Sequence, residues 1–540
     1  MQPSSSNWFR NTVLYQIYPR SFYDSNGDGI GDLRGITQRL RYLKGDEDSL
    51  GIGAIWLSPF YKSPMADFGY DVSDHCDVDP IFGNLDDFSQ LLGEAHKRGI
   101  KVFVDLIPNH TSDMHQWFQE SKSSRDNPRR NWYTWKDPGP NGGPPNNWPG
   151  VFGGSAWTLD DNTGQYFLHS YLKEQPDLNW ENAGVREAIR GVMRFWLDMG
   201  VDGFRVDAVY AISKDTKFRN DPINKSFVEG DNPYHRLIHT NSKEGPKLFE
   251  YIEVMAQVLR AYKDRFMIFE ASPATLESRS SSYLGLYENV DSSVSAPFNF
   301  EGIHSLWKPG LFREFIDRFQ AGMHPSYVPI YCMGNHDQPR LVKRIGEQEA
   351  RVSAMMQLAL PGMPIIYAGD ELGMAGGVIA PEDVQDPFEL QVPGKGLGRD
   401  PERTPLQWSS SKNAGFTSAD KPWLPVASDY IRKNVDSEKL DPYSFYNLYH
   451  KLIMLRDKTE ALKYGSYQSV DIDGSVYCFS RHLGSDTYVV LLNFTDNEVE
   501  VNNQVLSGEL VLSTYLDRKP KKLEGLYSLR PHEGIILQSL

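Results

Sequence analysis

The chain has 540 residues, 40% hydrophobic and 24% charged, and its 56 basic and 71 acidic side chains leave a net charge of −15. That length accommodates three or four folding units, and that composition is too apolar for wholesale disorder and too interrupted for a membrane bundle. The acidic balance removes the phosphate-neutralising surface that nucleic-acid binding needs, so neither a nucleic acid nor a membrane is an expected partner.

The start, MQPSSSNWFR, lacks a basic segment followed by an apolar one, so no secretory signal is expected. Cys76, Cys332 and Cys478 are odd in number and far apart. They encode no disulfide framework or CxxC metal site, and a reducing, cytoplasmic setting fits best. Short apolar β-rich runs then recur: VLYQIYP from Val13, AIWLSP from Ala54, KVFVDLIPN from Lys101, GFRVDAV from Gly203, FMIFEA from Phe266, the weaker SSVSAPFNF from Ser292, VPIYCMGN from Val328 and MPIIYAGDE from Met363. Helical patterns lie between most of them, for example LDDFSQLLGEAHKRG from Leu85 and VREAIRGVMRFWLDMG from Val185. The uncharged stretch Val352 to Gly369 has the length of a membrane span. It contains Ser353, Gln357, Pro361 and Pro364 and ends in GDE, so it reads as a helix leading into a buried strand.

Eight strand-helix units imply a parallel sheet closed into an α/β (β/α)₈ TIM barrel, spanning residues 1–110 and 180–463. Residues 111–179, rich in Asn, Gly, Pro and Trp, are too long for an ordinary connection and are expected to form a small domain inserted after the third strand. From 464 to 540, YVVLLNF, ELVLST and EGIILQSL alternate with turn residues, the pattern of an antiparallel β-sandwich.

In such a barrel, chemistry sits where strands end. The third strand leads to Asn109 and His110, the fourth to Arg205 and Asp207, the fifth to Glu270, and the seventh to Asn335, His336 and Asp337. One such acid alone reads as a helix cap or turn residue. Three carboxylates at one end of one sheet would repel unless chemistry used them, and glycosidic cleavage needs such a set: one attacks the anomeric carbon, another protonates the leaving oxygen.

VDLIPNH, GFRVDAV, a glutamate closing the fifth strand and GNHDQPR resemble, in order and spacing, the motifs of the α-amylase family, glycoside hydrolase family 13. QPDLN, Gln175 to Asn179, resembles the motif of its oligo-1,6-glucosidase and α-glucosidase branch. The resemblance implies that Asp207 is the nucleophile, Glu270 the general acid/base and Asp337 the third carboxylate. Arg205, two residues before Asp207 and so on the same strand face, would hold the nucleophile ionised. The resemblance further implies that His110 and His336 bond sugar hydroxyls, that Tyr70 stacks on the sugar, and that Asp67 and Arg340 seal the pocket beyond the terminal glucose. Phe269 stands directly before Glu270, where many relatives have glycine.

Asp24, Asn26, Asp28 and Asp32, in DSNGDGIGD, place oxygen ligands at alternate positions with a glycine after the third. The twelfth position is Gly35 rather than glutamate, and no helix pair flanks the loop, so an EF-hand is excluded. The segment resembles the single Ca²⁺ or Mg²⁺ site of oligo-1,6-glucosidase-like enzymes. That implies a structural cation on these four side chains and the carbonyl of Ile30, against the alternative of an Asx-rich turn without metal. No glycine pattern for an organic cofactor follows any strand.

The implied activity is exo-acting release of glucose from short α-glucosides. Ala208 follows the nucleophile where many α-1,6-preferring relatives have valine, which points to α-1,4 substrates such as maltose. GRDPERTP, Gly398 to Pro405, is expected beside the leaving-sugar site. A transglucosylase, sucrose isomerase or trehalose synthase of the same family is the first alternative; the RLDRD-like segment typical of sucrose isomerases is missing. A non-catalytic transporter heavy-chain ectodomain of this fold is the second, and it lacks support because the carboxylates are all present.

Overall fold

The computed structural model describes residues 8–271, 279–472, 474–502, 507–524 and 526–539. Its central sheet is wholly parallel. In spatial order it runs Ser295–Pro297, Phe266–Phe269, Gly203–Val206, Lys101–Leu106, Ala54–Leu57, Leu14–Ile17 and Ile365–Tyr367, the sixth, fifth, fourth, third, second, first and last of the sequence runs. The seventh run closes the ring through two parallel bridges, Asn299 to Tyr331 and Cys332 to Ile365. It does not form a full strand: Pro329 has no N–H to give to a ladder, although its carbonyl accepts from Met363.

Side chains of the inner strands are buried on both faces, as a helix-wrapped parallel sheet requires. Gly203 is required by close approach, because a Cβ there would lie 2.2 Å from the Phe266 carbonyl and 2.6 Å from the Phe103 ring. The helix Leu85–Lys97 starts in a capping box between Asn84 and Asp87, and Ala183–Met199 ends at Gly200 in the left-handed region. The uncharged stretch is the helix Glu347–Ala359 followed by the strand Ile365–Tyr367. Among the described residues no helix is long and apolar enough to cross a membrane.

Between the third strand and Ala183–Met199, the chain builds a helix, Gln116–Ser123, and a three-stranded antiparallel sheet of Trp135–Lys136, Trp157–Asp160 and Gln165–Leu168. Bridges from His110 to Asp177 and from Tyr133 to Leu178 clasp the ends of this insert at the barrel rim. The C-terminal part has a six-stranded antiparallel sheet and a facing two-stranded one, Val499–Asn502 with Leu526–Leu529, around Val489, Leu491, Tyr527 and Leu529.

Candidate active site

The chemistry begins with a buried cross-strand pair. Asp105 and Arg205 lie opposite each other in the register of the third and fourth strands. The Arg205 side chain, 1% exposed, donates to Asp105 (Nη1 to Oδ1, 2.8 Å), to Asp207 (Nη1 to Oδ1, 2.7 Å) and to Glu270 (Nη2 to Oε2, 2.6 Å). Strand alternation puts Arg205 and Asp207 on one side, and the neighbouring strand brings Glu270 level with them. Asp105, which the motif reading left without a role, also accepts from the Trp56 indole N–H and the Tyr70 hydroxyl. A lone acid within an otherwise apolar buried run was the signal available for it.

Three carboxylates thus share one guanidinium. Burial pushes both Asp207 and Glu270 above the usual carboxylate range, Arg205 opposes it, and the neighbouring acids reinforce it. Burial likewise raises Asp105 to about 6. Such a set titrates as a unit and retains a proton where an exposed carboxyl would have lost it. Ala208, directly after Asp207, sits in the left-handed region (φ 44°), and its N–H points at Glu270 Oε2 at 3.4 Å. The segment after Glu270, SPAT in sequence, lies outside the described residues.

Asp337 has different neighbours. Burial works against its charge, but the guanidiniums of Arg403 and Arg399 outweigh it and hold the carboxyl below the usual range. Arg403 Nη2 lies 2.7 Å from Asp337 Oδ1, and Arg399 Nη1 lies 3.3 Å from the same oxygen. Burial drives His336 well below the ordinary histidine value. A neutral ring leaves the two arginines as the stabilising cations. His336 meets Gln16 at Nδ1 and Tyr70 at Nε2, both at 2.7 Å, and the Tyr70 ring stacks on it with centroids 5.4 Å apart.

Asp67 accepts from Arg399 Nη2 at 2.8 Å and from Gln175 Nε2 at 3.1 Å, and Gln175 also meets His110 Nε2 at 3.2 Å. Burial brings His110 down to about 4. Asp67, Tyr70, His110, Arg205, Asp207, Glu270, His336 and Asp337 therefore form one connected network.

Arg340 does not join it. Its Nη1 donates to the Ala368 carbonyl at 2.5 Å and its guanidinium covers the Tyr367 ring, so it braces the last strand. Arg399, rather than Arg340, pairs with Asp67 and Asp337, and it binds Asp386 as well (Nη2 to Oδ1, 2.6 Å). GRDPERTP supplies it: the short helical turn Asp400–Arg403 and the residue before it hold Arg403 and Arg399 against Asp337 and Asp67. Two arginines four residues apart in that motif were the available signal.

The DSNGDGIGD loop offers only oxygen donors, the chemistry a hard cation takes. Its acids are turned onto the loop itself. Asp24 accepts from the N–H groups of Asn26, Gly27 and Gly29 and from the Thr417 hydroxyl. Asp28 accepts from Asn26 and Ile30, and Asp32 accepts from Ser25 and caps the helix Leu33–Leu43 through the Gly35 N–H. A cation would take over part of these contacts.

A family model described as the catalytic domain of alpha amylase matches residues 16–465. A probable alpha-glucosidase of Rhizobium meliloti is 40% identical over 95% of both chains, and an oligo-1,6-glucosidase of Heyndrickxia coagulans is 38% identical over 98% of this chain and 99% of its own. Among solved structures, an alpha-glucosyl transfer enzyme superposes with a TM-score of 0.91 at 36% identity, covering 99% of each chain.

Proposed function

Since the chain belongs to the α-amylase family of glycoside hydrolases, we propose that it is a retaining, exo-acting α-glucosidase that releases glucose from short α-glucosides and prefers α-1,4 to α-1,6 linkages. The observation that carries the exo reading is the bridge from Arg399 to Asp67 and Asp337. It stands across one side of the carboxylate cluster, which favours a site that takes a terminal sugar over one that takes the middle of a chain. In the first step Asp207 attacks the anomeric carbon while Glu270 gives its proton to the departing oxygen. In the second, Glu270 takes a proton from water, and the bond to Asp207 breaks with retention. Asp337, kept ionised by Arg399 and Arg403, and the neutral rings of His110 and His336 hold the sugar's hydroxyls.

The test is the product profile from maltose, isomaltose and sucrose supplied separately, with the anomer of released glucose followed by NMR. Maltose turned over to α-glucose supports the reading. Rearranged or longer glucosides with little free glucose would move the assignment to transfer, a second reading favoured by the similarity to the alpha-glucosyl transfer enzyme.

Linkage preference is assigned to Ala208. A valine there would add two methyl groups beside Glu270 at a left-handed residue, where β-branching is strained. Ala208→Val is expected to shift the maltose to isomaltose ratio of kcat/KM toward isomaltose by about tenfold, the scale of methyl-sized changes in a sugar pocket. Parallel rates on both sugars would remove the assignment.

The loop of Asp24, Asn26, Asp28, Ile30 and Asp32 is assigned a structural Ca²⁺ or Mg²⁺. Bound there, the ion would tie the loop to the helix that Asp32 caps. Chelation should lower the melting temperature, reversibly on adding Ca²⁺, with kcat unchanged at temperatures where the fold persists. Loss of activity from a fully folded chelated protein would contradict a purely structural role.

A further inference from the structure

Asp71 is a buried carboxylate that the mechanism above does not use. It stands four residues after Asp67, in a loop whose ends are joined where Ser73 donates its N–H to the Lys62 carbonyl at 2.8 Å. The residue is fully buried. Its Oδ1 accepts from the Asp67 N–H and the Ser63 hydroxyl, both at 2.9 Å, and its Oδ2 accepts from the Ala66 N–H at 2.8 Å. The Ser63 oxygen in turn accepts from the Met65 N–H at 2.9 Å. Burial raises this carboxyl to about 6, so it is ionised at neutral pH and accepts at both oxygens.

The backbone it holds is one that few side chains adopt unaided. Met65 and Phe68 lie in the left-handed region (φ 64° and 49°), and Gly69 follows at φ 108°. Left-handed residues other than glycine persist where their surroundings over-determine them, and they gather at functional sites. Asp71 supplies that constraint through the main chain. Arg20 supplies it through the side chains, with its Nη1 3.7 Å from the Met65 Sδ and its guanidinium 5.3 Å from the centre of the Phe68 ring. A neutral Asn or Ser would close an ordinary turn, whereas a buried charge is costly, and this one is also repelled by Asp67.

What the carboxylate fixes is Asp67. The Asp67 side chain is held by Arg399 and Gln175 and its main-chain N–H by Asp71, so the residue is anchored at both ends. Tyr70, although next in the chain to Asp71, has anchors of its own: its hydroxyl meets Asp105 and His336, and its ring stacks on His336. Asp71 therefore bears on the active-site network through Asp67.

We propose that Asp71 is a positioning residue for recognition of the terminal sugar: it sets the main chain of Asp67, and with it the reach of the Asp67 carboxylate to the hydroxyls of the non-reducing glucose. The proposal rests on the α-glucosidase reading. Asp71→Ala, measured on the full chain, should lower kcat/KM for maltose by about 10- to 100-fold, the scale of an ångström-sized misplacement of a binding group, with the loss mainly in KM. Asp71→Asn, which keeps one acceptor oxygen, should lose less. The deciding measurement is a double-mutant cycle: in an Asp67→Ala background, Asp71→Ala should cost less than about threefold, because the group it positions is gone. An equal fall in both backgrounds would give Asp71 a general structural role, and full activity of Asp71→Ala would mean that the loop keeps its shape without it; either would overturn the proposal. So would an Asp67→Ala protein within about threefold of the unsubstituted one, since Asp67 would then have no grip on the sugar for Asp71 to set. Should Asp71→Ala fail to fold, the same cycle built with Asp71→Asn decides on the same terms. Failure of the unsubstituted protein to cleave maltose, seen before any variant is compared, would overturn the α-glucosidase reading and this proposal with it.

Discussion

Asp207→Asn should hydrolyse maltose at least ~10⁴-fold more slowly than the unsubstituted protein, the scale seen when the nucleophile of a covalent mechanism is removed. Asparagine keeps the shape and can still accept from Arg205 Nη1, now 2.7 Å from Asp207 Oδ1. It cannot attack the anomeric carbon. The fold should not suffer, because the substitution takes one of three buried carboxylates away from a single guanidinium.

The pH dependence follows from the direction of the shift. Asp207 in the fold has its pKa raised, first by burial and further by Glu270 and Asp105. Between the unfolded value of about 4 and the raised folded value, the native state holds more protons than the unfolded chain, so this group's contribution to stability falls as pH rises through that window. The asparagine variant lacks that loss. Its melting temperature should equal that of the unsubstituted protein near pH 4 and exceed it increasingly toward neutrality. Activity surviving within tenfold, or a variant less stable at pH 7, would remove Asp207 from the centre of the site.

Repetition is what made the fold legible. Each barrel strand is a short apolar run, the runs recur with helical patterns between them, and only a closed parallel sheet satisfies so many units. The seventh run showed its limit, since Pro329 leaves it two bridges where its apolar pattern promised a strand. The site was legible where it is local. Arg205 and Asp207 share a strand face by alternation, and each strand's end places its acid at the same rim. Residues that reach the site from a distance were harder to place. Asp105 is tied to Arg205 by strand register, a relation between positions 100 residues apart. Arg340 follows the Asp337 motif closely, but the chain turns there and leaves its guanidinium on Tyr367, while Arg399 arrives on a loop after the last strand. Pattern reading weights nearness in sequence, whereas this network of charges is joined by nearness in space.

That distinction gives the second large effect. Arg399 serves three carboxylates at once: Asp67, Asp386 and Asp337. Asp386, fully buried, takes all its side-chain contacts from Arg399, through its main-chain N–H, Nε and Nη2. Arg399→Met leaves that charge with only the main-chain N–H, and breaking such a buried pair costs about 3–5 kcal/mol. Catalysis should fall as well. Asp337 keeps Arg403, so its ionisation survives, but Asp67 loses the guanidinium that positions it. A loss of about a hundredfold or more in kcat/KM for maltose is expected from two charge-assisted contacts. Lysine at 399 should rescue little, because one ammonium cannot present the planar fork that spans three acids. Arg340→Met is the contrasting variant: its guanidinium bonds a carbonyl and covers a ring, so it should lose stability while keeping its KM for maltose within about twofold, no sugar contact having been removed. If instead Arg340→Met raised KM and Arg399→Met left it unchanged, the pocket would be sealed by the arginine nearer in sequence, and the geometry drawn here for the closed end of the site would be wrong.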